Sequence, residues 1–313
     1  MIFCPKCHTQ LVDNAKFCHH CGANIDIPLA ECPSCTKKNP ADARFCYGCG
    51  SPMSPIVLSK HVVQNSKYNF QDLTALEEQT KSLFFEELKR LSSWIAPEKV
   101  DDYLKAVLTK NFYTTVDRRS KQIAEEISEL HFSQTTPSVF QLEKQLNSAV
   151  SSLALYHIVY NCRDISPMVL SEKIMKYEKA TRGHVDLKQM VFDYLDLANE
   201  KERIYTDFVK MPFNTLQNAA KSFVFAAKDE FIYLISDSTF LGSGKEGFAM
   251  TEFGLYWKAP LEKPQKIYFH QIARLEKHKT WLKVNNRFFN VNANLNIKML
   301  FLLEKLKNIY SDA

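Results

Sequence analysis

Apolar positions change their period twice along this chain, and the changes divide it into three stretches. From about Asn69 to Asp207 apolar residues return every three or four positions, as in helices with one buried face. Val100, Tyr103, Leu104, Val107, Leu108 and Phe112 share one such face, and Leu142, Leu146, Ala149, Val150 and Leu153 share another. Between Gly50 and Gly242 the only glycine is Gly183. The prolines of Ala96-Pro97-Glu98, Thr136-Pro137-Ser138 and Ser166-Pro167-Met168 mark helix starts, because a first turn has no use for the missing N–H. The pattern predicts about five or six helices, enough for a central α-helical bundle.

From Phe231 the period shortens to β-type runs rich in aromatic and β-branched residues. They are Phe231–Ile235, Gly247–Thr251, Gly254–Lys258, Lys266–Phe269, Ala273–Lys277, Trp281–Val284 and Arg287–Val291. A last helix follows, with Met299, Leu302, Leu303, Leu306, Ile309 and Tyr310 on one face. The first fifty residues show neither period, and Ser51-Pro52-Met53-Ser54-Pro55 separates them from the rest as a linker signal. The expected organisation is multidomain α+β: residues 1–54, a linker over 55–68, a helical domain over 69–207 and a β-rich domain over 215–313.

Composition agrees with a folded chain. Its 313 residues are 45% hydrophobic and 24% charged, which excludes general disorder and collagen-like structure. No window holds the ~18 uninterrupted apolar residues of a spanning helix. The opening MIFCPKCHTQLVDNA lacks the basic-then-apolar order of a signal peptide, so a cytoplasmic location is expected. Basic residues number six against four acidic in 1–60, 19 against 21 in 61–206 and 15 against 10 in 207–313. No segment carries the dense basic stripe of a protein held by many phosphate contacts. The mild excess at the C-terminal end suits an anionic surface only weakly.

Eight of the nine cysteines fall in the first 49 residues, as Cys4/Cys7, Cys18/Cys21, Cys32/Cys35 and Cys46/Cys49. Two thiolates separated by two residues on a tight turn reach one metal ion, and a second pair completes a tetrahedron of soft ligands that favours zinc. Eight ligands make two closed, structural sites. A disulfide framework does not suit a reducing compartment, and redox Cys-x-x-Cys chemistry lacks the βαβ unit that usually accompanies it. The gaps between successive pairs are equal, so loop length alone leaves consecutive and interleaved pairing open. The repeat separates them. Cys-Pro-Lys-Cys followed by Ala-Lys-Phe-Cys-His-His-Cys-Gly recurs 28 residues later as Cys-Pro-Ser-Cys followed by Ala-Arg-Phe-Cys-Tyr-Gly-Cys-Gly. A duplicated unit closes its own site, which assigns Cys4, Cys7, Cys18 and Cys21 to one zinc and Cys32, Cys35, Cys46 and Cys49 to the other. Gly22 and Gly50 suit left-handed backbone after each knuckle. Phe17 and Phe45 provide apolar cover, and His8, His19 and His20 are expected on the surface.

With the CPxC…FCxxCG pattern intact in both halves, residues 4–50 resemble the double zinc-ribbon domains of many bacterial and archaeal proteins. The resemblance implies the fold and the metal, and an adaptor role toward proteins, nucleic acid or neighbouring domains. In the tail, Thr251-Glu-Phe-Gly-Leu-Tyr-Trp257 followed by Ile267-Tyr-Phe-His-Gln-Ile272 resembles bacterial PH-like and GRAM-like sequences. That likeness implies a PH-like β-barrel over 215–313, two sheets with a capping helix.

Other motifs carry less. Gly242-Ser-Gly244-Lys-Glu-Gly247 spells G-x-G-x-x-G, but a strand rather than a helix follows it, so a flexible hairpin connection is expected. His131 and His157 lack the Glu-x-x-His partners of a di-iron bundle and read as core or boundary residues. Cys162 reads as a buried or half-buried free thiol, and Asn161-Cys162-Arg163-Asp164 is only distantly similar to a kinase catalytic loop. The function expected is a non-enzymatic zinc-binding adaptor that meets a protein partner. Nucleic acid is the alternative, through Lys6, Lys16, Lys37, Lys38, Arg44, Phe17, Phe45 and Tyr47. An anionic membrane is a further partner, through Lys277, His278 and Lys279 with Lys245 and Lys258 beside them. A toxin-like or phage-defence effector with its activity in the helical body is the enzymatic alternative.

Overall fold

The computed structural model describes residues 2–3, 10–11, 19–21, 29–32, 35–40, 46, 48–49, 66–133, 137–168, 170–200 and 202–310. The chain divides into two compact units, Met1–Ser66 and Lys67–Ala313. The expected linker lies almost wholly outside the described residues.

The first unit carries two antiparallel hairpins. Strand β1 (Ile2–Phe3) pairs with β2 (Gln10–Leu11), and β3 (Leu29–Glu31) pairs with β4 (Lys38–Pro40). In sequence, each hairpin encloses the first cysteine pair of its repeat. Strands of two or three residues bury very little, so the hairpins need something other than a core to hold them.

The second unit begins with helices. Asp72 caps α1 (Leu73–Ile95) by accepting from the Ala75 N–H at 3.1 Å. A 3-10 turn at Pro97–Lys99 leads into α2 (Val100–Thr109), and α3 (Tyr113–Phe132) follows. The expected face over 100–112 is split by this boundary. Asn111 takes a left-handed angle of +54° that ends α2, and Phe112 becomes the buried cap residue of α3. Leu108 is consequently 68% exposed. Ser138 and Gln141 form a capping box for α4 (Val139–Asn161), so Pro137 precedes the cap rather than entering the first turn.

No helix starts at Ser166-Pro167-Met168. The Ser166 hydroxyl donates to the Met168 carbonyl, and Met168 and Leu170 are both buried. A 3-10 turn begins only at Glu172, and α5 (Leu187–Leu195) follows it. The five α-helices of this stretch fall within the expected number.

The C-terminal part opens earlier than its periodicity indicates. Arg203–Tyr205 forms β5, an edge strand within a region whose spacing reads as helical. Three residues are too few to display a period, and the pairing partners lie thirty residues or more away. Helix α6 (Phe213–Ser222) comes next, then β6 (Ile232–Asp237), β7 (Gly247–Thr251), β8 (Gly254–Lys258) and β9 (Gln265–Tyr268). These make one antiparallel sheet in the order β5-β6-β7-β8-β9. A second sheet holds β10 (Leu275–Lys277), β11 (Leu282–Val284) and β12 (Arg287–Phe289), and α7 (Ala293–Tyr310) closes the chain. The two sheets remain separate ladders, so the expected barrel is not closed. The Trp257 indole N–H joins them by donating to the Phe288 carbonyl at 2.7 Å.

Both faces of the larger sheet are covered. Ile235, Ala249 and Tyr256 pack with Ala219 and Phe223 of the α6 region. Leu234, Phe248, Met250, Leu255 and Trp257 face the main core, which continues through α7 into the helices. Trp94 of α1 meets Phe301 of α7 edge-on at 5.4 Å, and Arg90 reaches Glu304 at 3.5 Å. Because α7 has neighbours on nearly every side, even its Lys298 is buried, paired with the buried Glu200 at 2.6 Å. The helices and the β-rich tail therefore share one core. Among the described residues, no helix is long and apolar enough to cross a membrane.

Candidate metal centre

The tight turn between β3 and β4 brings the second repeat's cysteines together. Cys32 N–H donates to the Lys37 carbonyl at 3.0 Å, and Thr36 N–H donates back to the Cys32 carbonyl at 2.8 Å. Thr36 takes the left-handed angle (+57°) that completes the knuckle. Cys32 and Cys35 then face Cys46 and Cys49, with all four sulfurs within 4.8 Å of one another.

The distances fit a metal and not a disulfide. Cys32 Sγ lies 3.7 Å from Cys49 Sγ, and Cys35 Sγ lies 3.6 Å from Cys46 Sγ. A disulfide requires about 2.05 Å. A tetrahedron with ~2.3 Å zinc–sulfur bonds has sulfur–sulfur edges of about 3.8 Å. Four soft donors at that spacing suit zinc, with every position filled by protein. Cys32 and Cys46 are buried, while Cys35 and Cys49 reach the surface.

Cys46 is held by two donors of the protein. It accepts from the Gly48 N–H at 3.3 Å and from the Asn39 side-chain amide at 3.5 Å. Burial raises its proton affinity, but donors from Gly48, Cys49, Cys35 and Asn39 outweigh burial and bring the pKa down to about 6. Gly48 also lies close under a lysine side chain. A Cβ there would lie 2.5 Å from Lys37 Cδ, which folds across the knuckle.

The other expected residues distribute unevenly. Of the first set, Cys21 is described and half-buried, while Cys4, Cys7 and Cys18 lie outside the described residues, as do Gly22, Gly50, Phe17, Phe45 and His8. His19 and His20 are exposed, as expected, and so are Lys37 and Lys38. Lys6, Lys16, Arg44 and Tyr47 also fall outside the described residues. Asn39 was absent from the residues the motif singles out. Its one sequence signal is a break in the repeat, since the residue 28 positions earlier is Leu11.

Candidates in the second unit resolve as structure. Cys162 is fully buried, and burial pushes its thiol up to about 12. His157 is buried and stacked on Phe112 at 4.7 Å. Lys258 Nζ approaches the Lys245 carbonyl at 3.5 Å, while Lys277 is half-buried, its proton affinity lowered by burial.

The G-x-G-x-x-G segment is indeed the β6–β7 connection, but it is pinned and not loose. Thr215 Oγ1 donates to the Gly242 carbonyl at 2.9 Å, Asn218 Nδ2 to Ser243 at 2.8 Å and Ser222 Oγ to Lys245 at 2.6 Å. From the other side, Arg203 donates to the carbonyls of Thr239 and Phe240 at 2.9 and 3.2 Å. The buried Asp237 carboxylate accepts from the Thr239 N–H and hydroxyl at 2.9 and 2.6 Å. This scaffold holds Phe240 and Leu241 92% and 86% exposed.

Residues 4–50 match the family model described as double zinc ribbon, about a sixth of the chain. No curated protein matches the chain, and no solved structure matches it.

Proposed function

We propose that this chain is a non-enzymatic zinc-binding adaptor. Its ribbons hold two structural zinc ions, and its C-terminal part, read as PH-like from the sequence resemblance, presents a surface to a protein partner. The second ion is placed by the repeat, with Cys4, Cys7, Cys18 and Cys21 as its ligands. A cytoplasmic location suits eight thiols that must stay reduced to bind metal.

One observation carries the adaptor reading. The β6–β7 connection engages an arginine, a buried aspartate and three side chains of α6 to hold two large apolar side chains in water. Exposed apolar residues ordinarily scatter singly on mobile loops. A fixed pair lowers the ordering cost of docking into a shaped pocket. The zinc site supports the same reading, because four sulfurs leave no open position for a reacting water.

The test uses the intact chain and a Phe240→Ser/Leu241→Ser variant. A partner that copurifies with the parent chain, and whose complex is rebuilt from the two purified proteins, should bind the variant at least about tenfold more weakly. Equal binding overturns the assignment of this surface. Retention of the parent chain on phosphatidylserine vesicles, lost in the same variant, points to a membrane instead.

A second reading rests on Lys37 and Lys38, both exposed on the hairpin that carries the metal centre. Two free cations beside a ribbon can meet phosphates. A salt-sensitive gel shift with single-stranded RNA or DNA, abolished by Lys37→Ala/Lys38→Ala, favours nucleic acid over the adaptor.

A further inference from the structure

Asn39 occupies an unusual position for an amide. It lies on β4, a strand of three residues, and is only 1% exposed. Burying an amide in so small a module is unfavourable unless its hydrogens find acceptors. Both do. Nδ2 donates to the Lys37 carbonyl at 2.6 Å and to Cys46 Sγ at 3.5 Å. The first bond fixes the amide against the turn between the two cysteine pairs, and the second aims its other hydrogen at a metal-ligand sulfur. The corresponding residue of the first repeat is Leu11, which has nearly the same shape and no N–H. In sequence, the first repeat therefore has an apolar residue where the second has an amide.

A zinc ion with four thiolates carries a net double negative charge. Cys35 and Cys49 are open to solvent, whereas Cys46 is buried and accepts from the protein's own Gly48 N–H and Asn39 amide. Each N–H directed at the sulfur withdraws charge from it, orients its lone pair and makes protonation by an incoming acid harder. Outer-shell donors of this kind typically alter metal affinity by about 10–100-fold when removed.

We propose that Asn39 is a positioning residue for the second metal centre, and that its amide–sulfur hydrogen bond makes that ribbon hold zinc longer than the first. The inference rests on the zinc reading above but goes beyond it: the two sites are chemically unequal despite identical ligands.

The experiment follows zinc transfer from the full chain to an excess of the colorimetric chelator 4-(2-pyridylazo)resorcinol. The parent chain should release two ions in two phases. Asn39→Leu, the near-isosteric change that copies the first repeat, should accelerate the slow phase at least about tenfold. Asn39→Gln, which retains a donor, should preserve a slow phase. In the cobalt-substituted protein, Asn39→Leu should also move the sulfur-to-metal charge-transfer band to longer wavelength, a shift that a packing defect does not produce. A slow phase unchanged in Asn39→Leu overturns the proposal, and so does equal acceleration in the leucine and glutamine variants. Absence of stoichiometric zinc in the parent chain would instead remove the reading on which it rests.

Discussion

At the scale of single residues, burial decides which side chains are reactive and which are structural. His157 is the clearest case. Its ring is fully buried, Nε2 faces the Tyr103 carbonyl at 3.4 Å, and Nδ1 faces the Asn161 amide nitrogen at 3.3 Å. The neutral tautomer with its proton on Nε2 satisfies both contacts, and a second proton would face an N–H donor. Burial accordingly lowers its pKa to about 4, against about 6.5 in the unfolded chain. The unfolded state then binds more protons between these values, so stability falls as pH drops from about 6.5 to 4 and levels off below. The full contribution is about 3 kcal/mol. Denaturant titrations of the intact protein should show this slope, and His157→Gln should flatten it whatever it does to stability at neutral pH. An unchanged slope would place the titrating group elsewhere.

At the scale of elements, turns whose backbone admits only glycine fix the sheet. Gly247 opens β7 at a φ of +145°, and a Cβ there would lie 1.9 Å from the Ser236 carbonyl oxygen of the neighbouring strand. Backbone cannot yield as a side-chain tip does. Gly247→Ala should lower stability by at least about 2 kcal/mol. Gly183→Ala, at a φ of +81° but with open space around it, should cost only about 1 kcal/mol. Urea unfolding of the two variants measures the difference directly.

The same elements show what a chain of this kind reveals before it is folded. β7 and β8 are legible to the residue, since glycine begins each and an apolar run with aromatic side chains follows it. The second cysteine set is legible because metal geometry constrains spacing, and its sulfurs do come together from a single repeat. β5 is not legible, because an edge strand of three residues has no period and exists through its partner. Nor is the fixed state of the 238–246 connection, whose glycines read as freedom. Its restraints come from Thr215, Asn218 and Ser222, more than twenty residues away and on a helix with no motif. Asn39 was visible only as a departure from the repeat, and its meaning depends on a sulfur seven residues on.

At the scale of the whole molecule, the two units are stabilised by different physics, and this separates their response to metal removal. Among its described residues, Met1–Ser66 shows hairpins of two and three residues, and strands that short bury too little to offset the entropy of ordering the chain. On the proposed zinc reading, its folding free energy is in large part the free energy of metal binding. Lys67–Ala313 has a continuous core running from α1 through α7 to the large sheet, with no cysteine but the buried Cys162. All three tryptophans, Trp94, Trp257 and Trp281, belong to this second unit. A strong chelator at neutral pH should therefore remove two zinc ions per chain and open the N-terminal unit to proteolysis. Tryptophan emission and the main melting transition should stay where they were. Elemental analysis, limited proteolysis and a thermal melt followed at tryptophan wavelengths test each part. A tryptophan melt that drops by more than a few degrees on chelation would mean that the core of the second unit draws stability from the metal, contrary to a division in which the ribbons owe their shape to sulfur and zinc and the remainder to buried hydrocarbon.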